Sequence, residues 1–304
     1  MKKRLFGSSL LLLTAIIWGF AFVAQVEGMA HISSLTYSAI RFLIGASVLV
    51  PFIFIFSRKR SDAEKIKRSF LYGMIGGLLL FVPVTLQQFA IEFSPDENSM
   101  KAGFITGLYI VLVPIAYLIF MKKKTPMQVW IGAVCAVIGL YFLCEAGSGP
   151  LHFTDILLFL SVPIWTAQIL FINAIGNKTD IFAYSVSQYA FCGVISLIGA
   201  LIFERGSLFN SAAIVSAIIP ILYGGVCSVS IAYTLQIVGQ KYADPTSASI
   251  IMSTESMFSC IGNLLLLEVN MSLLQYVGCG LIFSGIILSQ LVFKKRKETQ
   301  LNKM

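Results

Sequence analysis

Long apolar runs separated by short polar connections occupy almost the whole of this 304-residue chain. Each run is long enough to cross a bilayer, since roughly 20 helical residues at 1.5 Å each span the hydrocarbon core. The pattern therefore predicts ten transmembrane helices. In the eighth run, Pro220 is a candidate start, with 209–216 at the membrane interface. The ten ranges are approximately 5–26, 34–56, 69–91, 98–120, 127–145, 153–174, 181–203, 214–238, 245–267 and 272–293.

The composition indicates that the protein is surrounded by lipid and not by water. Hydrophobic residues make up 57% and charged residues only 12%, against about 25% charged in soluble proteins, and the mean hydropathy is +0.86. The sequence thus predicts an all-α integral membrane protein with the lipid bilayer as a partner. The net charge of +8 does not indicate nucleic-acid binding, because the basic residues lie between the apolar runs and at the ends.

Basic residues are concentrated in every second connection between the apolar runs. One set of connections holds 19 of the 22 Lys and Arg residues, and the other three are Arg41, Lys101 and Arg205. Because Lys and Arg favour cytoplasmic loops, both termini are expected in the cytoplasm of a multi-pass protein of the bacterial inner membrane. The basic set comprises Lys2–Arg4, Arg58–Arg60, Lys65, Lys67, Arg68, Lys122–Lys124, Lys178, Lys241, Lys294–Lys297 and Lys303.

Matching landmarks divide the chain into two halves. Tyr and a polar residue follow Trp18 at the same spacings as they follow Trp165. Because each half has five helices, the halves must enter the membrane from opposite sides, which predicts inverted repeats over 1–147 and 148–304. The aligned landmarks are Tyr37 with Tyr184, Arg41 with Gln188, Thr85–Gln87 with Thr234–Gln236, Pro95 with Pro245, and Gly132 and Gly139 with Gly278 and Gly285.

The N-terminal segment, the cysteines and the histidines could each indicate a different feature: a signal peptide, a disulfide framework or a metal site. The basic start and Leu10–Leu13 are like a signal peptide, but Trp18 aligns with the internal Trp165, so we expect a retained first helix. The six cysteines, Cys144 among them, are mostly within apolar runs and contain no CxxC pair, which favours small buried hydrophobes. His31 and His152 are isolated, so the sequence predicts no metal site.

Glu255 is the most informative polar residue. It lies about ten residues into the ninth run, near the bilayer midplane, where a charged side chain costs about 2.5–3.5 kcal/mol on insertion scales. It is a candidate proton-coupling or substrate-binding carboxylate. A structural acid bonded to a neighbouring helix, in contacts of the kind that Ser253, Thr254 or Ser256 make, is an equal alternative.

Arg41 lies about seven residues below the outer start of the second run. It could bind a substrate carboxylate bidentately. A snorkelling or helix-pairing arginine near the outer interface is the favoured alternative. Gln188, its partner in the second half, is uncharged, so the two halves differ chemically.

Trp18 and Trp165 are too deep for the interfacial belt where tryptophan collects. They could stack on a substrate in a central cavity, or pack at the repeat interface. Other polar residues in the runs are candidates either to line the cavity or to join helices. The candidate substrate-binding set is Trp18, Gln87, Tyr109, Trp165, Gln168, Tyr233 and Gln236.

Three stretches of the sequence match a known family in order: Ile17–Val23 with Tyr37 and Arg41, Ala102–Tyr109 with Pro114, and Ser253–Phe258. Through them the chain resembles EamA-type members of the drug/metabolite transporter superfamily, along essentially its whole length. The resemblance implies a central cavity between the halves and supports Thr106 as a further family position. Lys122–Lys124 and Ser256 depart from residues common in the family.

These features predict a monomeric or homodimeric exporter of small organic metabolites, with amino acids or related compounds as the expected substrates. Alternating access would need no cofactor. Efflux of lipophilic cations is the alternative within transport. An intramembrane enzyme acting on lipid is disfavoured because only Glu255 is both deep and acidic, and a receptor or scaffold would show no saturable flux.

Overall fold

The computed structural model describes residues 2–57, 61–93, 103–143, 152–266 and 271–290. Within them, nine helices are long and apolar enough to cross a membrane, and a tenth is slightly shorter. This confirms the predicted all-α membrane fold. The helices are α1 Lys2–Met29, α2 Ser34–Ser57, α3 Ala63–Glu92, α4 Gly103–Met121, α5 Met127–Leu143, α6 Phe153–Ile175, α7 Ile181–Phe203, α8 Ile218–Gln240, α9 Pro245–Leu266 and α10 Leu273–Gln290.

Several residues considered in the sequence lie outside the described ranges. They include basic residues of two connections and of the tail, one cysteine and one landmark of the first half. These are Arg58–Arg60, Pro95, Lys101, Ala102, Cys144, Lys294–Lys297 and Lys303.

Capping residues explain where individual helices begin. Asp62 accepts a hydrogen bond from the Lys65 N–H at 2.6 Å, so α3 starts one residue later. Asp180 does the same for the Ala183 N–H at 3.0 Å at the start of α7. Pro245 occupies the first turn of α9, where its missing N–H costs nothing.

The eighth helix begins where the sequence indicated. A short helix, Ser211–Ser216, comes first, and α8 follows from Ile218, two residues before Pro220. Eleven residues in the middle of α8, Tyr223–Tyr233, wind as a π-helix. Such widened turns are rare overall but frequent at functional sites, so the residues that they carry are candidates for the site.

The molecule is apolar outside and partly polar inside. Large hydrophobic side chains such as Phe120, Phe203 and Leu273 are three-quarters or more exposed, whereas Gln88 and Gln188 are fully buried. In water this arrangement would be unfavourable, because exposed apolar surface would exceed what soluble proteins tolerate. In a bilayer the same arrangement is favourable, since lipid covers the apolar exterior and the polar side chains are buried inside the protein, away from lipid.

Helix pairs in one half recur in the other. The contacts of α3 with α6 and α7 match those of α8 with α1 and α2, and the pair α4–α6 matches α9–α1. Three pairs in the described ranges, α2–α7, α4–α9 and α5–α10, join equivalent helices of the two halves. Among the described residues, most contacts between the halves therefore either have a counterpart or are their own counterpart, as expected for two related five-helix units. The contact of α5 with α9 is an exception, since it is larger than any contact between α10 and α4.

Aligned glycines bring α5 and α10 together. A Cβ atom on Gly139 would lie 2.7 Å from the Gly278 carbonyl oxygen, and one on Gly278 would lie 2.6 Å from the Gly139 oxygen. Gly132 and Gly285 make the same reciprocal approach at 2.5 and 2.6 Å. These four aligned glycines are thus positions where two backbones touch, which only small residues permit.

Candidate functional site

A central cavity lies between the two halves. About 50 Å³ of it is open to water-sized molecules, which is room for only a few waters at roughly 10–15 Å³ each. A metabolite would require the helices to separate. The lining residues come from seven helices: Trp18, Phe22, Gln25, Arg41, Val84, Gln87, Thr106, Tyr109, Trp165, Ile169, Ser228, Tyr233, Gln236, Met252 and Glu255.

Two interrupted helices deliver Tyr109 and Glu255 to this cavity. Helix α4 has a turn at Leu108, and its second segment starts at Tyr109. Helix α9 is interrupted by turns at Ser253 and Thr254, and its second segment starts at Glu255. Unwound turns at membrane depth are tolerated where they face a cavity, and transporters place ligand groups at them.

The Glu255 side chain is 9% exposed, and it faces the cavity. In the described ranges, no salt bridge within 4 Å involves Glu255. The hydroxyl of Ser253 donates to the Ile250 carbonyl and that of Ser256 to the Gly103 carbonyl. These hydroxyls bond backbone oxygens, so they do not support the structural alternative in which such groups hold the carboxylate.

Arg41 is buried beside the same cavity, with 3% exposure, so it does not snorkel to the outer surface. Its guanidinium carbon lies 5.1 Å from the centre of the Tyr37 ring and 5.0 Å from that of Phe42. Among the described residues it has no carboxylate within 4 Å, and its Nε has no hydrogen-bond partner. Aromatic rings therefore hold this cation without neutralising it.

Tyr233 links the charged and aromatic parts of the site. Its ring centre lies 4.7 Å from that of Trp18, with planes tilted by 60°. It lines the cavity together with both Arg41 and Glu255. The Trp18 Nε1 is buried without a partner in the described structure. Trp165 lines the cavity as well, so both aligned tryptophans border one space.

The glutamines divide into lining and supporting residues. Gln87 and Gln236 line the cavity, and Gln168 does not. Gln168 is fully buried and accepts a hydrogen bond from the Gln236 Nε2 at 3.3 Å, so it orients a lining residue. Gln88, next to Gln87, donates to the Gln25 side chain. Eight of the nine site residues selected from the sequence thus reach the cavity, and Gln168 supports it from behind.

The candidate set from the sequence omitted several lining residues. Most are separated from a selected residue by three or four positions, the distance that returns a helix to the same face. That spacing from Trp18 and Trp165 would have found two of them, Phe22 and Ile169. The omitted residues are Phe22, Gln25, Val84, Ile169, Ser228 and Met252, and Thr106 was identified only through the family resemblance.

The histidines lie away from this site. His31 approaches Glu27 at 3.7 Å on an exposed helix end, and His152 caps the start of α6. In the described portion of the chain, no group of three or more His, Cys, Asp or Glu residues is positioned to hold a metal ion.

Comparison with known sequences decides the family. The model of the EamA-like transporter family matches twice, over residues 5–144 and 152–291. The chain belongs to the EamA-like transporter family. It is a membrane transporter of this type, and each copy of the family domain supplies one set of five helices.

Relatives of this EamA-type transporter carry the same general description. An uncharacterized transporter of Archaeoglobus fulgidus is 26% identical over 95% of this chain and 87% of the relative. YoaV of Bacillus subtilis is 22% identical over 93% and 96%, and YicL of Salmonella typhimurium, named an inner membrane transporter, is 25% identical over 94% and 95%. A crystal structure with 16% identity matches 96% of the chain and 99% of its own, at a TM-score of 0.76, which shows the shared fold.

Proposed function

We propose that this EamA-type transporter exports small zwitterionic metabolites, above all amino acids or closely related compounds. One observation carries the proposal: Arg41, a base, and Glu255, an acid, line the same cavity, and neither has an ion-pair partner among the described residues. A buried charge without a partner is costly. A substrate with both a carboxylate and an ammonium group would supply the two missing partners at once.

Carboxylate recognition falls to Arg41. Its planar guanidinium matches a carboxylate bidentately, and stacking on Tyr37 and Phe42 restricts its orientation. Ammonium recognition falls to Glu255, which starts a helical segment facing the cavity. Trp18, Trp165 and Tyr233 would contact the apolar part of the substrate.

Transport requires the narrow cavity to open alternately to the two sides. The recurring helix contacts support inverted repeats, with the halves 1–147 and 148–304 related by an axis in the membrane plane. Exchange of conformation between the halves would close one side while opening the other. Glu255 would carry a proton in exchange for substrate, because a midplane carboxylate can be neutralised by either a proton or a cation.

Orientation follows from the distribution of basic residues. The proposed topology places both termini in the cytoplasm of a bacterial inner membrane, with substrate entering from the cytoplasm. A monomer contains the whole cavity, so the mechanism needs no second subunit, although a homodimer is compatible with it. We assign the chain no catalytic reaction and no cofactor.

Reconstituted vesicles test the substrate class. Purified full-length protein is placed in liposomes loaded with an unlabelled amino acid, and uptake of the labelled amino acid by counterflow is measured. We expect saturable uptake that is inhibited more strongly by amino acids than by the corresponding amines or carboxylates alone. If no amino acid crosses faster than in protein-free vesicles, the proposal is wrong.

Lipophilic-cation efflux is the second candidate. Glu255, in a cavity lined by five aromatic side chains, would also suit a cationic ligand. Buried Arg41 opposes it, because an unpaired guanidinium repels a cation. Inhibition of flux by lipophilic cations, with none by amino acids, would establish this alternative.

A further inference from the structure

A second, membrane-facing cavity forms a groove between α3, α4 and α6. It has a volume of about 560 Å³, and its walls are almost entirely apolar. Leu112 and Ile119 form one wall, and Leu170 and Phe171 form the other. Thr166, near the middle of α6, contributes the one hydroxyl among the lining side chains. The groove is separate from the central cavity, although α3, α4 and α6 also carry residues that line the latter.

The groove matches one leaflet in length. Along α4 it extends from Leu112 to Met121, which is about 14 Å at 1.5 Å per residue. Half of the hydrocarbon core measures about 15 Å. An acyl chain of one leaflet would therefore fit along the groove from the midplane to the end of α4.

Three lysines lie at the mouth of the groove. Lys122, Lys123 and Lys124 directly follow Met121 and are exposed. Lys122 adopts a left-handed conformation with φ of 53°, which ends the helix there. The Lys123 Nζ lies 5.8 Å from the centre of the Tyr117 ring. Within the described residues none of the three has a carboxylate within 4 Å, so their charge is available to an anionic partner.

The equivalent helix pair is tightly packed. In α1 and α9, which correspond to α6 and α4, a Cβ atom on Gly19 would lie 2.7 Å from the Phe258 carbonyl carbon. Backbone contact at this point brings the two helices together. The opening between α4 and α6 is therefore a specific feature of one pair.

We propose that this groove and Lys122–Lys124 form a binding site for one anionic phospholipid. The apolar walls take an acyl chain, and the three ammonium groups take the phosphate of the headgroup. This inference concerns the membrane-facing surface and does not depend on which substrate the central cavity carries. The role expected of the lipid is to stabilise the arrangement of α3, α4 and α6.

Native mass spectrometry of the detergent-purified full chain tests the headgroup contact. The protein is titrated with phosphatidylglycerol and, separately, with phosphatidylcholine of identical acyl chains. We expect one high-affinity phosphatidylglycerol. A lysine near an anionic surface contributes roughly a fivefold preference, so K122Q/K123Q/K124Q should lose on the order of 100-fold in affinity. The matched control K2Q/K3Q/K67Q removes three other exposed lysines and should bind as the wild type does.

Filling the groove tests the acyl contact separately. Ala167 and Ala174 line the groove, and the variant A167F/A174F occupies it while keeping the lysines. V194F/I198F adds the same aromatic groups to the exposed surface of α7, away from the groove. We expect the first variant alone to lose the high-affinity lipid. Elution of each variant from size exclusion as the wild type does verifies its folding.

Three results would overturn the proposal. The first is equal binding of phosphatidylglycerol and phosphatidylcholine by the wild type. The second is an equal loss in the two lysine triple variants, which would indicate general charge attraction. The third is wild-type phosphatidylglycerol affinity in A167F/A174F, which would leave only headgroup binding at the surface.

Discussion

The Glu204 carboxylate accepts hydrogen bonds from the backbone N–H of Thr36 at 2.8 Å and from its side-chain hydroxyl at 2.9 Å. It also accepts from the Leu35 N–H at 3.0 Å. The cap residue Ser33 makes no side-chain capping bond. Instead, Glu204, at the end of α7, accepts hydrogen bonds from free backbone N–H groups in the first turn of α2. Helix N-termini favour negative charge, and this contact therefore ties two helices from different halves.

The other ends of the same two helices are joined in a related way. Asp180 caps α7, and its carboxylate also accepts from the hydroxyls of Ser57 at 2.5 Å and Ser61 at 2.9 Å, at the end of α2 and just beyond it. Burial raises the pKa of Asp180, but these hydroxyls and the Ala183 N–H more than offset it, so the pKa is lowered overall. Side-chain hydrogen bonds thus join α2 and α7 at both ends.

Replacement of Glu204 by Gln should loosen this pair. The neutral amide weakens charge-assisted bonds, each worth about 1.5–3 kcal/mol, and partial exposure reduces that figure to about 1–2 kcal/mol in total. We expect E204Q to unfold at a lower temperature in detergent. E27Q is the control, since Glu27 is 61% exposed and, among the described residues, its carboxylate has an ion-pair partner within 4 Å only in His31. Equal midpoints for the two variants would contradict the structural role.

Arg41→Gln should remove recognition of the substrate carboxylate. The change copies Gln188, the residue at the equivalent position of the second half, so it keeps a polar side chain. We expect the preference for an amino acid over its corresponding amine to fall by about tenfold or more in counterflow inhibition. R205Q removes an exposed guanidinium at the end of α7 and should keep the preference. A preference unchanged in R41Q would exclude this role.

Glu255→Gln should abolish proton coupling, because an amide cannot exchange a proton as a carboxylate does. Transport by the wild type should vary with external pH, whereas residual transport by E255Q should be flat. Initial rates in vesicles with imposed pH gradients measure this. E27Q again provides the control for loss of one acid. The same pH profile in wild type and E255Q would leave Glu255 without a coupling role.

Gly278 and Gly280 provide a matched pair of substitutions on α10. A Cβ atom on Gly278 would lie 2.6 Å from the Gly139 carbonyl, whereas one on Gly280 would meet nothing within 4 Å. Alanine is intrinsically better than glycine in a helix by up to about 1 kcal/mol. G280A should therefore be neutral or stabilising, and G278A should lower the thermal midpoint by forcing α5 and α10 apart. The opposite ranking of midpoints would refute this packing.

Lys241, just beyond α8, should make stability depend on alkaline pH. Burial, with the nearby charge of Lys65, lowers its pKa from 10.5 to about 8, although Asp180 acts in the opposite direction. The folded protein therefore releases this proton more readily than the unfolded chain does, and stability should rise as pH increases from about 8 towards 10.5.

The variant K241M keeps the apolar stem and should lose that rise. Thermal midpoints of wild type, K241M and the control K67M, measured across this pH range, isolate the contribution of Lys241. The expectation fails if the three curves are parallel.

Much of this architecture was predictable from the order of residues alone. The ten apolar runs predicted helices close to those observed, because crossing a bilayer demands a fixed length of helix with few charges. Aligned landmarks predicted two repeats, and the contacts of Gly139 with Gly278 give those landmarks a physical reason. The lining of the cavity by Trp18, Trp165 and Glu255 also follows the sequence analysis.

Only the tertiary structure separated residues that are chemically alike. Gln87 lines the cavity while Gln88 bonds Gln25, and Gln236 lines it while Gln168 stands behind. Neighbouring residues on a helix point about 100° apart. The sequence therefore defines the depth of each polar residue in the membrane, but not the side of the helix that faces the cavity. The facing direction depends on partners more than 60 residues away, and no local pattern of the chain specifies those contacts.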